Sequence, residues 1–170
     1  MKAELWQGGP RTEELGEISI PSGAVTISDA GIPHGVRVAV SPANGSVRIL
    51  RNEDGDNVAA ALVFPEGEPV DWTEAGTYGV DCGLSGFGDS ELLEQLDKQT
   101  WEISSYDDLI SLHLEPREDE GHAGALIPFQ GNAFSACRSG YGDGVYAVHV
   151  GRNREGRVAA IVTVFIDNDT

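Results

Sequence analysis

The sequence predicts a mainly β chain, α+β at the margin, folded as an antiparallel β-sandwich or a partly open barrel with one or two short helices. Three observations predict it. Apolar residues recur with a period of two in many short runs. Clusters of Asn, Asp, Gly and Pro separate those runs at short intervals. Helical spacing interrupts the pattern only between residues 89 and 113, so the expected order is strands, then helices, then strands again.

Residues 1–15 (MKAELWQGGPRTEEL) carry acids and lack the apolar stretch of a signal peptide. They are expected to be loosely ordered ahead of a folded core over 16–167, in one domain of 170 residues. The first expected strand is 23–28 (GAVTIS), where Val25 and Ile27 share a face. Val36, Val38 and Val40 alternate in the next, and 47–50 follow the turn SPANG. NEDGDN at 52–57 is a turn cluster, and 58–64 (VAAALVF) and 77–81 (TYGVD) are further strands.

Asp89 or Ser90 can cap a helix, because a short side-chain oxygen accepts the unpaired amides of a first turn. Glu91 suits the positive end of the helix dipole, and Leu92, Leu93 and Leu96 form a narrow apolar stripe. A second short helix, starting at Ser104 or Ser105, places Tyr106, Leu109, Ile110 and His113 on one face. The charged run 115–121 (EPREDEG) reads as an exposed, flexible connection. Runs 145–150 (VYAVHV) and 157–166 (RVAAIVTVFI), joined by GRNREG, read as an antiparallel hairpin. The second run is apolar on both faces, with Val158, Ala160, Val162 and Val164 on one and Ile161 and Phe165 on the other. That is the pattern of a central strand covered on both sides.

Asp and Glu number 28 against 11 Lys and Arg, a formal net charge of −17. Such a field repels phosphate backbones and anionic membrane surfaces, so neither nucleic acid nor membrane is an expected partner. It speeds encounter with basic proteins. No run approaches the roughly 20 apolar residues of a membrane span. With no leader pattern and only Cys82 and Cys137, the cytoplasm is the expected location. The two cysteines lack CxxC spacing and read as buried free thiols. His34, His113, His122 and His149 show no ligand spacing, and the acidic stretches at 54–57 and 167–169 lack the pattern of a calcium loop. No metal or cofactor is expected.

Two glycine-rich stretches are distinctive: 77–89 (TYGVDCGLSGFGD) and 139–150 (SGYGDGVYAVHV). With 22–29 (SGAVTISD), 33–40 (PHGVRVAV) and the apolar strand leading to Trp72, they give the chain an outline that resembles a bacterial family, domain of unknown function 4241. The resemblance runs from Ser22 to Asp167. It departs at Val164, where the family often has Asp, at His149, where it often has Tyr, and in the early motif, which ends SDA rather than DP. The resemblance implies a fold and a bacterial origin, and no activity.

The glycines of YGVDCGLSGFGD permit close approach of another group to the backbone. Two readings of the candidate binding set Asp81, Cys82, Gly83, Asp89, Ser139, Tyr141 and Asp143 stand side by side. In one, the acids face a shared pocket with Cys82 and Ser139 nearby. In the other, Asp89 is a helix cap and Asp143-Gly144 a turn that sets the following strand. Cys82 follows an Asp, which works against a thiolate, and no GxSxG elbow or phosphate loop is present. The expected function is therefore a binding protein, immunity-like or antitoxin-like, whose acidic surface meets a basic protein partner. The alternative is a small hydrolase or small-molecule-binding protein with an Asp-lined pocket at the glycine-rich loops. Whether the acids converge in one cleft distinguishes them.

Overall fold

The computed structural model describes residues 3–99 and 106–167. The chain opens with α1 (Glu4–Gln7), followed by β1 (Thr12–Ile20), β2 (Ala24–Asp29), β3 (Ile32–Ala39), β4 (Ala43–Arg51), β5 (Asn57–Val63), β6 (Asp71–Val80) and β7 (Leu84–Asp89). Helices α2 (Ser90–Gln99) and α3 (Tyr106–Asp119) come next, then β8 (Gly124–Phe129), β9 (Asn132–Arg138), β10 (Gly144–Arg152) and β11 (Val158–Val164). The strands form two antiparallel sheets, the larger in the order β1-β4-β5-β11-β10-β6 and the smaller β3-β2-β7-β9-β8. This is an open sandwich and not a closed barrel.

The apolar faces of the two sheets meet in one core, with Ile27, Val47, Ile49, Leu62, Phe87 and Ile161 each at most 2% exposed. The expected hairpin is present: β10 and β11 pair antiparallel, with Val148 opposite Thr163 and Val150 opposite Ile161. β11 lies between β5 and β10, and Val158 to Thr163 are all buried, as its doubly apolar pattern predicts. The stripe on α2 and one face of α3 bury Leu93, Leu96, Ile110 and Leu114 against Ala125, Ile127, Phe134 and Ala136. The two helices thus cover the outer face of the smaller sheet.

The expectation of a loose N-terminus is corrected. Leu5 is 1% exposed, and α1 packs against β4 and β5. Arg48 of β4 donates to the carbonyl oxygen of Trp6. Ala61 sits directly opposite Arg48, and Val162 opposite Ala61, so α1 caps the alanine-rich outer face of the larger sheet. The Trp6 ring lies 5.1 Å from Trp72 of β6. Trp72 in turn lies over Gly151, where a Cβ would come within 2.8 Å of the indole. A helix of one turn has too few residues to show a period, so this contact is invisible in sequence.

The reading of 115–121 as a flexible connection is also corrected. Glu115 to Asp119 continue the helix in spite of Pro116. Leu114 is 1% exposed, and Glu118 forms a paired contact with Arg138 of β9, both bonds 3.0 Å. Burial of one face and a fork-to-fork ion pair offset what the proline removes. The glycine-rich 84–89 segment is strand rather than loop, with Phe87 2% exposed. β1 adds a strand ahead of those expected, while β8 and β9 belong to the group of strands expected after the helices. Ser104 and Ser105, the expected start of the second helix, lie outside the described residues.

Val162 is fully buried in the central strand. Val162→Asp is expected to cost several kcal/mol, roughly 3 or more, because it leaves an unpaired charge in the core. Leu5→Ala is expected to cost about 2–5 kcal/mol, the usual range for emptying a leucine site. Urea midpoints at fixed pH measure both, and a change below about 0.5 kcal/mol for Leu5→Ala would show that α1 adds nothing to the fold.

Candidate functional site

Between β6 and β7 the chain crosses from the larger sheet to the smaller one, through Asp81, Cys82 and Gly83. The crossing is held by Asp29, the last residue of β2, which is 1% exposed. Its Oδ2 accepts the backbone N–H of Asp81 at 2.6 Å and of Cys82 at 3.0 Å. Its Oδ1 accepts the Cys82 thiol at 2.7 Å and the N–H of Gly31 at 2.7 Å. Gly83 then takes a φ of 72°, a left-handed conformation that a side chain would strain.

The second glycine-rich segment closes onto this turn. Ser139 is fully buried and its N–H donates to the Gly83 carbonyl at 3.0 Å. The Ser139 hydroxyl donates to the Gly142 carbonyl at 2.8 Å, and the Tyr146 hydroxyl to the same oxygen at 2.6 Å. β10 pairs with β6 down to Gly144 opposite Val80, so Asp143 and Asp81 leave the two strand ends side by side. Asp143 Oδ1 lies 3.9 Å from the point a Gly83 Cβ would occupy. Next to this turn, the Tyr78 hydroxyl of β6 bonds to Ser85 Oγ at 2.7 Å and Thr163 Oγ1 at 2.9 Å, joining the sheets through buried hydroxyls. Burial pushes the Tyr78 phenol up, which keeps it neutral.

Six of the sequence-predicted residues therefore come together: Asp81, Cys82, Gly83, Ser139, Tyr141 and Asp143. Asp89 does not join them. It ends β7 at the opposite end of that strand and is 2% exposed. Its Oδ1 accepts the amides of Glu91 and Leu92 at 3.0 and 3.2 Å, and its Oδ2 accepts Ser22 N–H at 2.9 Å. It is the cap of α2 and a brace for the turn before β2. The shared pocket of Asp81 and Asp89 is thus overturned by the length of the strand between them. Cys82 and Cys137 are both free, but only Cys137 is buried; Cys82 is exposed.

The chemistry of the group is that of a braced surface. Partial desolvation of the thiol by the surrounding turn, together with its bond to the Asp29 carboxylate, pushes Cys82 up to about 11, far from a thiolate at neutral pH. For Asp29, burial alone would raise the carboxyl. The bonds from the Cys82 thiol and from three backbone amides outweigh it and hold Asp29 below its ordinary value. Asp81 and Asp143 are exposed, and among the described residues neither carboxylate has an ion-pair partner. Tyr141 is 81% and Val145 72% exposed. A groove of about 200 Å³ beside His122, Arg138 and Gly140 borders the Ser139–Tyr141 segment, and another of about 370 Å³ lies beside Arg11, Glu13 and Arg51. Among the described residues no group of His, Cys, Asp and Glu is placed to hold a metal ion, and no helix is long and apolar enough to cross a membrane.

A family model described as "Protein of unknown function (DUF4241)" matches residues 19–163. The chain belongs to the DUF4241 family. The whole braced turn of this DUF4241 chain, from Asp29 to Val145, falls inside the matched span. No curated protein and no solved structure matches it. Sequence reasoning passed over Asp29 as a site residue although it closes the early SGAVTISD motif. The available signal was an acid ending an otherwise apolar strand, which needs a partner if buried.

Asp29→Asn is expected to destabilise the protein at pH 7 by about 1–3 kcal/mol, since amides lose a charged acceptor. Because folding lowers the Asp29 pKa, its contribution is full above the ordinary 3.8 and is lost as pH falls through the folded value. The gap between wild type and Asp29→Asn should narrow below pH 3.8 in urea titrations. At pH 8, Cys82 in the wild type should react with iodoacetamide at least about tenfold more slowly than a free cysteine, and faster in Asp29→Asn. Equal rates in both proteins would break the assigned link between thiol and carboxylate.

Proposed function

We propose that this chain is a binding protein, of the immunity-like or antitoxin-like kind, that engages a basic protein partner in the cytoplasm. The observation that carries this reading is how the fold distributes its charge. Arg11, Arg37, Arg51, Arg117, Arg138 and Arg157 each have a glutamate oxygen at 2.8–3.8 Å. Much of the basic complement is thereby neutralised locally, while the chain keeps its formal −17. Glu17, Glu53, Asp54, Glu74, Asp81 and Asp143 stand exposed without ion-pair partners among the described residues. A negative field of this kind favours a basic surface and speeds its encounter.

The groups an enzyme would need are otherwise engaged. Asp89 caps a helix, Ser139 is buried in a turn, and Cys82 holds its proton. A hydrolytic nucleophile requires a base poised to take its proton. Here the carboxylate nearest the thiol already accepts three backbone N–H groups besides it.

The test is to isolate the partner from the producing cells, identify it by mass spectrometry and measure association rates of the purified pair. The rate is expected to fall by about tenfold or more between low and moderate salt, as screening shortens the reach of the field to roughly 8 Å. A small neutral ligand bound equally well at all salt concentrations, and lost on Asp81→Ala or Asp143→Ala, would replace this reading with the small-molecule one.

A further inference from the structure

Large apolar side chains are scarce on this surface. Among the described residues the exposed ones are Ile32, Val70, Leu112, Tyr141 and Val145. Three of these five, Ile32, Tyr141 and Val145, sit on segments that meet at the Asp81–Gly83 crossing. Ile32 pairs with Asp29, whose carboxylate holds Asp81 and Cys82. Tyr141 lies between Ser139 and Asp143, which touch the crossing at Gly83. Val145 lies directly opposite Gly79 of β6. Scattered single apolar residues need no explanation, but a gathering on one rigid end of an acidic molecule does.

The neighbourhood suits an approaching protein. Residues directly opposite each other share a face, so Val145 with Gly79 and Ala147 with Thr77 form a flat surface of small side chains. The helices do not cover it: α2 and α3 lie on the other sheet, and α1 lies over β4 and β5. Asp81 and Asp143 stand side by side at its end as like charges with no internal counter-ion. The nearest base in the ladder, Arg138 opposite Leu84, is already taken by Glu118. Bonds from Asp29, Ser139 and Tyr146 fix the backbone, so little freedom is lost on docking.

We propose that this end of the sandwich is the docking surface, with Tyr141 and Val145 as its apolar centre and Asp81 and Asp143 as joint acceptors for a lysine or arginine of a basic protein partner. The proposal rests on the reading of the chain as a binder of such a partner and names where the contact is made. Tyrosine is among the residues enriched at interface hot spots, and exposed acids around it fit the polar rim. Two carboxylates leaving neighbouring strand ends offer a single cation more than one charged acceptor.

The experiment places the photo-crosslinker p-benzoylphenylalanine at Thr77, beside this face, or at Leu112 on α3, and irradiates the producing cells. A covalent adduct with one basic protein at Thr77 and none at Leu112 is expected. That protein, purified, should bind Tyr141→Ala at least about tenfold more weakly, mainly through faster dissociation. Asp81→Asn with Asp143→Asn should slow association and flatten its salt dependence. Thermal melts of both variants should match wild type, since the replaced side chains are exposed. A basic protein captured at Leu112 but not at Thr77, or one whose binding ignores Tyr141→Ala, would overturn the docking surface and leave the charge-driven reading standing. Capture of no basic protein at either position, with no salt-dependent association, would overturn both.

Discussion

A single buried carboxylate organises the end of this molecule where the sheets are joined. Asp29 sits at the end of a strand whose every residue is buried, where an unpaired charge would be expensive. It is kept there by four donors, three of them backbone amides with no other partner in the turn. The exchange is mutual: the amides of a tight crossing need an acceptor, and the carboxylate needs donors. Without that acceptor the amides of Asp81 and Cys82, in the turn from β6 into β7, would lose their charged partner. The Tyr78, Ser85 and Thr163 hydroxyls then tie the same two strands to the central β11.

The same economy governs the surface. Arginines that could have offset the acidic charge are spent on fastening elements together: Arg138 to the end of α3, Arg51 to Glu13 of β1, Arg157 to Glu66. Exposed pairs of this kind add little stability each. Each pair also sets a glutamate beside the arginine, so these arginines add little net positive potential to the surface. The carboxylates left over define the character of the outside, and those at the crossing are held on a rigid frame.

Small residues set how the layers approach. Ala59, Ala61 and Ala160 leave room on the outer face of the larger sheet for a one-turn helix carrying Leu5 and Trp6. Gly151 leaves room for the Trp72 ring, and Gly86 lets the backbone of β9 approach β7. These contacts connect positions far apart in the chain. The residue types record the need for space, but not what fills it.

Local patterns alone determined the strand character of the chain, the doubly buried β11, the hairpin it makes with β10, and the cap and stripe of α2. Each of these rests on a period or a neighbour within a few residues, which a sequence displays directly. The family outline likewise singled out the segments around Asp81 and Asp143. Tertiary structure decided what they do. It separated Asp89 from Asp81 by the length of β7, and brought in Asp29 from about fifty residues away. It also extended α3 through Pro116 because Leu114 and Glu118 find partners on other elements. Local period cannot register such choices, since burial and pairing across sheets are properties of the assembled layers and not of any one segment.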